Sequence, residues 1–140
     1  MCIRDRDNTI DTISSFHLPQ DEESKRLPFE KAAFGAIGLQ TLLPACLKLV
    51  HDKILDLPTL FKKISLNPAK LLNLKSGILK EDYPADLILF DPDKPFKVDR
   101  FKLLSKAKNT PFDGYKLYGE VLKTFVRGNE IYKSRNSIDT

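Results

Sequence analysis

Histidine and cysteine are scarce in this chain of 140 residues, which holds only His17, His51, Cys2 and Cys46 of those two types. Catalytic zinc needs three protein ligands drawn from His, Cys, Asp and Glu, usually closely spaced on one element. His17 and His51 are far apart, and no second ligand is spaced around His51, so the residues argue against an autonomous metal site. Two distant cysteines exclude a disulfide framework and do not form a zinc spacing, which fits a reducing cytoplasm. No apolar run approaches the roughly 20 residues that cross a bilayer, which argues against a membrane-spanning helix. A basic stripe is also missing. The formal charge is +4, but Asp21, Glu22 and Glu23 directly precede Lys25 and Arg26, and mixed charge without aromatic platforms argues against a nucleic-acid partner. There is no internal repeat, no low-complexity segment, and no GxSxG, phosphate-loop or dinucleotide fingerprint.

What is present is ordinary for a globular fold. Hydrophobic residues make up 41% and charged residues 30%, and a chain of this length can bury a real core. The start, Met1-Cys2-Ile3-Arg4-Asp5-Arg6, has no apolar segment and no transit-peptide character. Residues 1–6 read as a non-native scar, which makes the chain the tail of something longer.

Ile10 and Ile13 among β-tolerant neighbours predict a short strand over 8–15, followed by a charged loop from Pro19 to Arg26. Apolar residues at three- and four-residue steps from Ala36 to Val50 predict an amphipathic helix, kinked at Pro44. Asp56 or Leu57 opens a second helix with Pro58 in its first turn. Asn67-Pro68 opens a third, capped by Asn67, with Leu71, Leu72 and Leu74 facing inward. After Gly77 the pattern changes. "ADLILFD", Ala85 to Asp91, reads as a buried strand, Phe96 to Val98 as a possible one, and Ser105 to Gly114 as a polar loop. "YGEVLKTFVRGNEIYK" reads as a hairpin turning at Gly128-Asn129. A lone strand followed by helices cannot close a sheet, so the helical half reads as the closing βα portion of a larger α/β fold.

Chemistry concentrates after the first strand, because barrel enzymes place catalytic groups where a parallel strand ends. Ser14, Ser15, His17, Gln20 and Asp21 occupy that junction. His17 can bind substrate, ligate metal or shuttle protons, or serve as an ordinary hydrogen-bonding residue. Gly35 and Gly38 either let backbone N–H groups approach a ligand or simply allow a tight entry into the helix. Lys25 and Arg26 either attract an acidic substrate or remain solvated surface charge. Lys108 to Gly114, "KNTPFDG", reads as a structural turn.

Taken together, "FHLPQDEESKRLPFEKAAFGAIGLQTLLP", "SLNPAKLLNL", "GILKEDYPADLILFDPD" and "SKAKNTPFDGYKLYGEVLKTFVRGNEIY" resemble the C-terminal portion of dihydroorotases, in family order. The match runs from about Ile10 to Tyr132. "PADLILFDPD" is shared by many amidohydrolases, whereas the last stretch is closer to dihydroorotases than to hydantoinase- or allantoinase-like relatives. The resemblance implies an α/β fold: the C-terminal βα portion of a (β/α)8 TIM barrel plus the C-terminal strands of its composite β domain. Residues 7–76 would form the terminal βα segment, 77–134 the β-rich domain and 135–140 a tail.

The resemblance also implies an activity, the interconversion of carbamoyl-aspartate and dihydroorotate in pyrimidine biosynthesis, with zinc activating the water. The metal-binding histidines and lysine would lie upstream, leaving no metal ligand and no bound zinc in this chain. The family's Asp-His-x-Pro-His pattern aligns with Phe16-His17-Leu18-Pro19-Gln20. Phe16 stands where the metal-contacting, proton-shuttling Asp is expected, so no catalytic residue is assigned and the chain alone should be inactive. The implied substrate-binding residues are His17, Gln20, Phe34 and Gly35. The alternative is a non-catalytic subunit that scaffolds aspartate carbamoyltransferase. An independent binding module is disfavoured because the strand at Ile10 has no partners.

Overall fold

The structure of the protein, a computed structural model, describes residues 9–134. The expected scar at 1–6 and tail at 135–140 lie outside the described residues.

The expected first strand does not form. Residues 9–15 carry no ladder, because a strand needs neighbours and, among the described residues, only one parallel bridge, between His17 and Ala36, lies beside this segment. The segment is fastened to a helix instead. Ile13 N donates to Lys63 O at 3.0 Å, Asn67 Nδ2 donates to Asp11 O at 2.8 Å, and the buried Lys63 ammonium donates to Ile10 O.

The charged run expected as a loop contains a helix, α1, Glu22–Arg26. Asp21 caps it by accepting the Ser24 amide at 2.7 Å. Glu22 and Glu23 sit in the first turn and Lys25 and Arg26 in the last, complementing the helix dipole.

Helix α2 is Leu42–His51, starting later than expected. The backbone amides before it have distant partners: Ile37 N donates to Asn109 O at 3.2 Å and Gly38 N to the His17 ring at 3.1 Å. Pro44 falls in the first turn of α2, where its missing N–H breaks no helical bond, so the expected kink has no cause. The first bond of the helix is Ala45 N to Thr41 O at 2.9 Å.

Helix α3, Leu57–Phe61, begins as expected, with Asp56 capping Thr59 N at 2.8 Å and Pro58 in the first turn. It runs without a break through a wide turn, Lys62–Leu66, into α4, Asn67–Leu71. In that turn Asn67 N reaches back five residues to Lys62 O. The widening relieves the clash that Pro68 would otherwise make with the preceding turn. Asn67 is therefore helical and does not cap. Leu71, Leu72 and Leu74, expected inside, are exposed, because the inward positions of this run are taken by Leu60, Lys63 and Ala69.

The caps carry a pH dependence. Hydrogen bonds from the Thr59 side chain and amide hold the Asp56 carboxyl below its ordinary value, and the Ser24 amide does the same for Asp21. A carboxyl lowered by folding contributes stability that is fully present above its unfolded pKa, about 3.9. That contribution is lost as pH falls through the lower folded value. Asp56→Asn keeps a good cap but cannot titrate. It is expected to flatten the acid-side loss of helical circular dichroism, and an unchanged acid profile would contradict this origin.

The β half forms one antiparallel sheet in the order β1-β2-β3, with β1 Leu87–Lys97, β2 Lys116–Val126 and β3 Asn129–Lys133. The two expected strands, Ala85 to Asp91 and Phe96 to Val98, merge into β1, which leaves Ala85, Asp86 and Val98 outside it. It passes Pro92 and Pro95 by slipping register between Asp91 and Pro95, where Asp91 Oδ1 accepts the amides of Asp93 and Lys94 at 2.9 and 3.2 Å. Prolines are tolerated at such a bulge because no ladder bond is required there. Leu87, Ile88 and Leu89 are not buried as expected but exposed, because no layer among the described residues covers them, whereas their neighbour Phe90 packs against the helices, 5.5 Å from the Phe61 ring. The hairpin turns one residue earlier than expected, at Arg127 and Gly128. Their φ angles of 49° and 81° allow Val126 to pair with Asn129.

Two cores join the halves. One gathers Ile37, Val98, Leu103 and Leu117, and the other Cys46, Leu47 and Leu60. In the second, β2 meets α2 at Gly119, where a Cβ would lie 2.2 Å from Leu47 Cδ1.

Candidate functional site

Two loops lie side by side where the sequence placed its chemistry. Leu18 N donates to Ala36 O at 2.9 Å, joining the 16–20 loop to the 34–39 loop. The His17 ring locks the pair, its Nδ1 accepting Gly38 N at 3.1 Å and Leu39 N at 3.4 Å. With Nδ1 an acceptor, the neutral ring carries its proton on Nε2. Close approach explains Gly38: a Cβ there would stand 2.6 Å from Ser15 O. Its N–H serves His17, so of the two readings of this glycine the structure favours packing.

Phe16 has φ 44° and is 88% exposed. Left-handed backbone is costly for an aromatic residue and tolerated by Asp and Asn. His17 lines a cavity of about 430 Å³ together with Ile37, Gly38 and Leu103. Gln20 lines a different one of about 540 Å³ with Arg100 and Lys106. Phe34 is 87% exposed beside Gly35. The four residues expected to bind substrate thus sit on two adjoining loops, but His17 and Gln20 open into different cavities.

Lys25 is exposed, but its ammonium is tied to the chain. Its Nζ donates to Ala33 O at 2.8 Å and Gly35 O at 3.2 Å. Arg26 pairs with Glu22 at 2.7 Å on the surface. His51 is remote from the loops in contact terms, donating Nε2–H to Pro92 O at 3.1 Å and meeting the Tyr118 ring at a tilt of 51°.

Sequence reasoning missed Asn109. Its Oδ1 accepts Gln20 N at 3.3 Å, its Nδ2 donates to Gly35 O at 3.2 Å, and its carbonyl accepts Ile37 N. The turn signal around it was visible, but contacts spanning 74 and 89 residues leave no local trace. Gln40 was missed in the same way; its Oε1 accepts Leu104 N at 2.9 Å.

Among the described residues no group of three or more His, Cys, Asp or Glu is placed to hold a metal ion. The donors present do not fit a catalytic zinc: with Nδ1 accepting two backbone amides, the neutral His17 ring carries its proton on Nε2 and offers no free lone pair. No described helix is long and apolar enough to cross a membrane.

A helical half bearing paired loops is packed on a small antiparallel sheet, and comparison with known proteins gives this arrangement its class. The amidohydrolase family model matches residues 33–131, and the chain belongs to the amidohydrolase family. Within it, the chain is 44% identical over 128 residues to the dihydroorotase of Desulforapulum autotrophicum, covering 91% of this chain and 30% of that protein. It is 43% identical over 127 residues to the dihydroorotase of Geotalea daltonii, again covering 91% and 30%. Among solved structures, the L-hydantoinase (dihydropyrimidinase) of Arthrobacter aurescens superposes with a TM-score of 0.87 at 33% identity, covering 94% of this chain and 31% of that one. Dihydropyrimidinase from Brevibacillus agri gives 0.88 at 21% identity, covering 94% and 30%. The chain thus spans about 30% of the length of its dihydroorotase relatives. Its fold is the C-terminal βα portion of a (β/α)8 amidohydrolase barrel with C-terminal strands of the β domain.

Proposed function

We propose that this chain is the closing part of a dihydroorotase-like cyclic amidohydrolase. In this reading 7–76 is its terminal barrel segment and 77–134 its share of the composite β domain. The whole protein would interconvert carbamoyl-aspartate and dihydroorotate in cytoplasmic pyrimidine biosynthesis. The observation that supports this most strongly is identity above 40% to several dihydroorotases over about nine-tenths of the chain. Zinc would supply the activated water when bound, held by parts of the fold outside the described residues. The work of this chain's residues is positional. The 16–20 and 34–39 loops would face the substrate, Gln20 would offer an uncharged hydrogen-bond donor to its carboxylate, and the backbone at Phe34 and Gly35 would contact it. With Phe16 at the place of the acid/base Asp, this chain supplies no proton shuttle.

The test joins the whole chain to the complementary first part of the Geotalea daltonii dihydroorotase. The zinc-loaded chimera is expected to melt at a higher temperature in dihydroorotate, as ligand binding to the folded state requires. A folded, zinc-loaded chimera stabilised by a hydantoin and not by dihydroorotate would sink the substrate assignment.

Phe16 and Gln20 favour a second reading, a non-catalytic subunit that scaffolds aspartate carbamoyltransferase. Stable co-elution of the chimera with that enzyme, without turnover, is the outcome that distinguishes it.

A further inference from the structure

The two loops are held together by more than their mutual backbone contacts. The Gly35 carbonyl receives two side-chain donors at once, Lys25 Nζ at 3.2 Å from α1 and Asn109 Nδ2 at 3.2 Å from the β-rich half. The other end of the Asn109 amide accepts Gln20 N at 3.3 Å. Only one orientation of that amide satisfies a carbonyl and an N–H together, so the bonds fix the side chain as well as the loops. Lys25 adds a second tie to Ala33 O at 2.8 Å, and the Asn109 carbonyl a third to Ile37 N at 3.2 Å.

We propose that Asn109 and Lys25 are positioning residues: as a clasp on the Gly35 carbonyl and the Gln20 amide, they set where the two loops present themselves to a cyclic amide substrate. Both line the cavity into which Gln20 opens, and their role is exerted through the loops they tie. A carbonyl held by two donors cannot rotate, so the peptide between Gly35 and Ala36 keeps its plane. Gln20 is held at a fixed distance from that peptide because one side chain grips both. The clasp makes the site depend on the β-rich half, since Asn109 belongs to the loop that precedes β2. The substrate part of this proposal rests on the dihydroorotase-like reading; the clasp does not.

Amide exchange by NMR on the full chain tests the clasp. Asn109→Ala removes the acceptor of Gln20 N and is expected to speed exchange there by roughly fivefold, the worth of one hydrogen bond. Asn109→Asp retains that acceptor and is expected to keep Gln20 protected. Unchanged exchange at Gln20 in Asn109→Ala overturns the clasp. Binding of dihydroorotate to the zinc-loaded chimera tests positioning. Asn109→Ala and Lys25→Met are each expected to weaken it by roughly fivefold to tenfold, with Lys25→Arg recovering most of the loss. A variant that melts earlier but binds dihydroorotate with unchanged Kd makes the residue merely structural and overturns the proposal. If Gln20 exchange responds as expected while no version of the chimera binds dihydroorotate, the clasp stands and the substrate assignment falls.

Discussion

Gly119→Ala is expected to cost about 3–5 kcal/mol, a large share of the roughly 5–15 kcal/mol that holds a domain together. Two penalties add at this position. Its φ of 102° is a conformation that L side chains rarely adopt, and the new Cβ would lie 2.2 Å from Leu47 Cδ1. Leu47 cannot move aside, because it is wholly buried between β2 and the helices. Urea denaturation of the single variants and the pair separates the penalties. Leu47→Ala alone should cost about 2.7–5 kcal/mol for lost burial and an unfilled cavity. Combined, the two changes should cost less than their sum by about 1–3 kcal/mol, because the added methyl enters the vacated space. The cost of the positive φ remains in the double variant. Strict additivity would mean that β2 and α2 do not meet as described.

The largest functional effect is expected at Phe16. In the zinc-loaded chimera with Geotalea daltonii dihydroorotase, Phe16→Asp should raise kcat for dihydroorotate formation by about 10²–10⁴-fold, the usual worth of a positioned acid/base group. The backbone favours the change. Phe16 holds φ 44°, and Asp is the better tolerated residue in left-handed backbone. Phe16→Asn is the control: it suits the backbone equally but has no carboxylate, and it should leave kcat where it is. A chimera that already turns over at the rate of the Geotalea daltonii enzyme with Phe16 in place would refute the role assigned to this position.

The parts of the fold that could be read from sequence were those fixed by neighbours in the chain. Asp56-Leu57-Pro58 carries its cap and its tolerated proline within three residues, and α3 begins there. The hairpin of β2 and β3 was legible from its glycine, though the turn lies one residue earlier because Arg127 also accepts a positive φ. The errors arose where a distant partner decided the outcome. The start of α2 was misplaced because Asn109 and His17 take the amides before it. The 9–15 strand failed for want of neighbours. Leu87, Ile88 and Leu89 were expected inside because apolar composition reports a preference for burial, not the presence of a covering layer.

The site divides in the same way. His17, Gln20, Phe34 and Gly35 were named from the family resemblance, and the structure places them on two adjoining loops. The ties that hold the loops were not anticipated, since a lysine reads as surface charge and an asparagine before Thr-Pro reads as a turn.

The register between the two loops is written mainly in main-chain atoms. Leu18 N meets Ala36 O, Ile37 N meets Asn109 O, and the His17 ring grips the amides of Gly38 and Leu39. Such a frame is indifferent to most of the side chains it displays. Phe16, Pro19 and Phe34 can therefore drift over evolutionary time while the frame persists. A lineage could lose or exchange its chemistry here by single substitutions, and regain it by the same route, without ever passing through an unfolded ancestor.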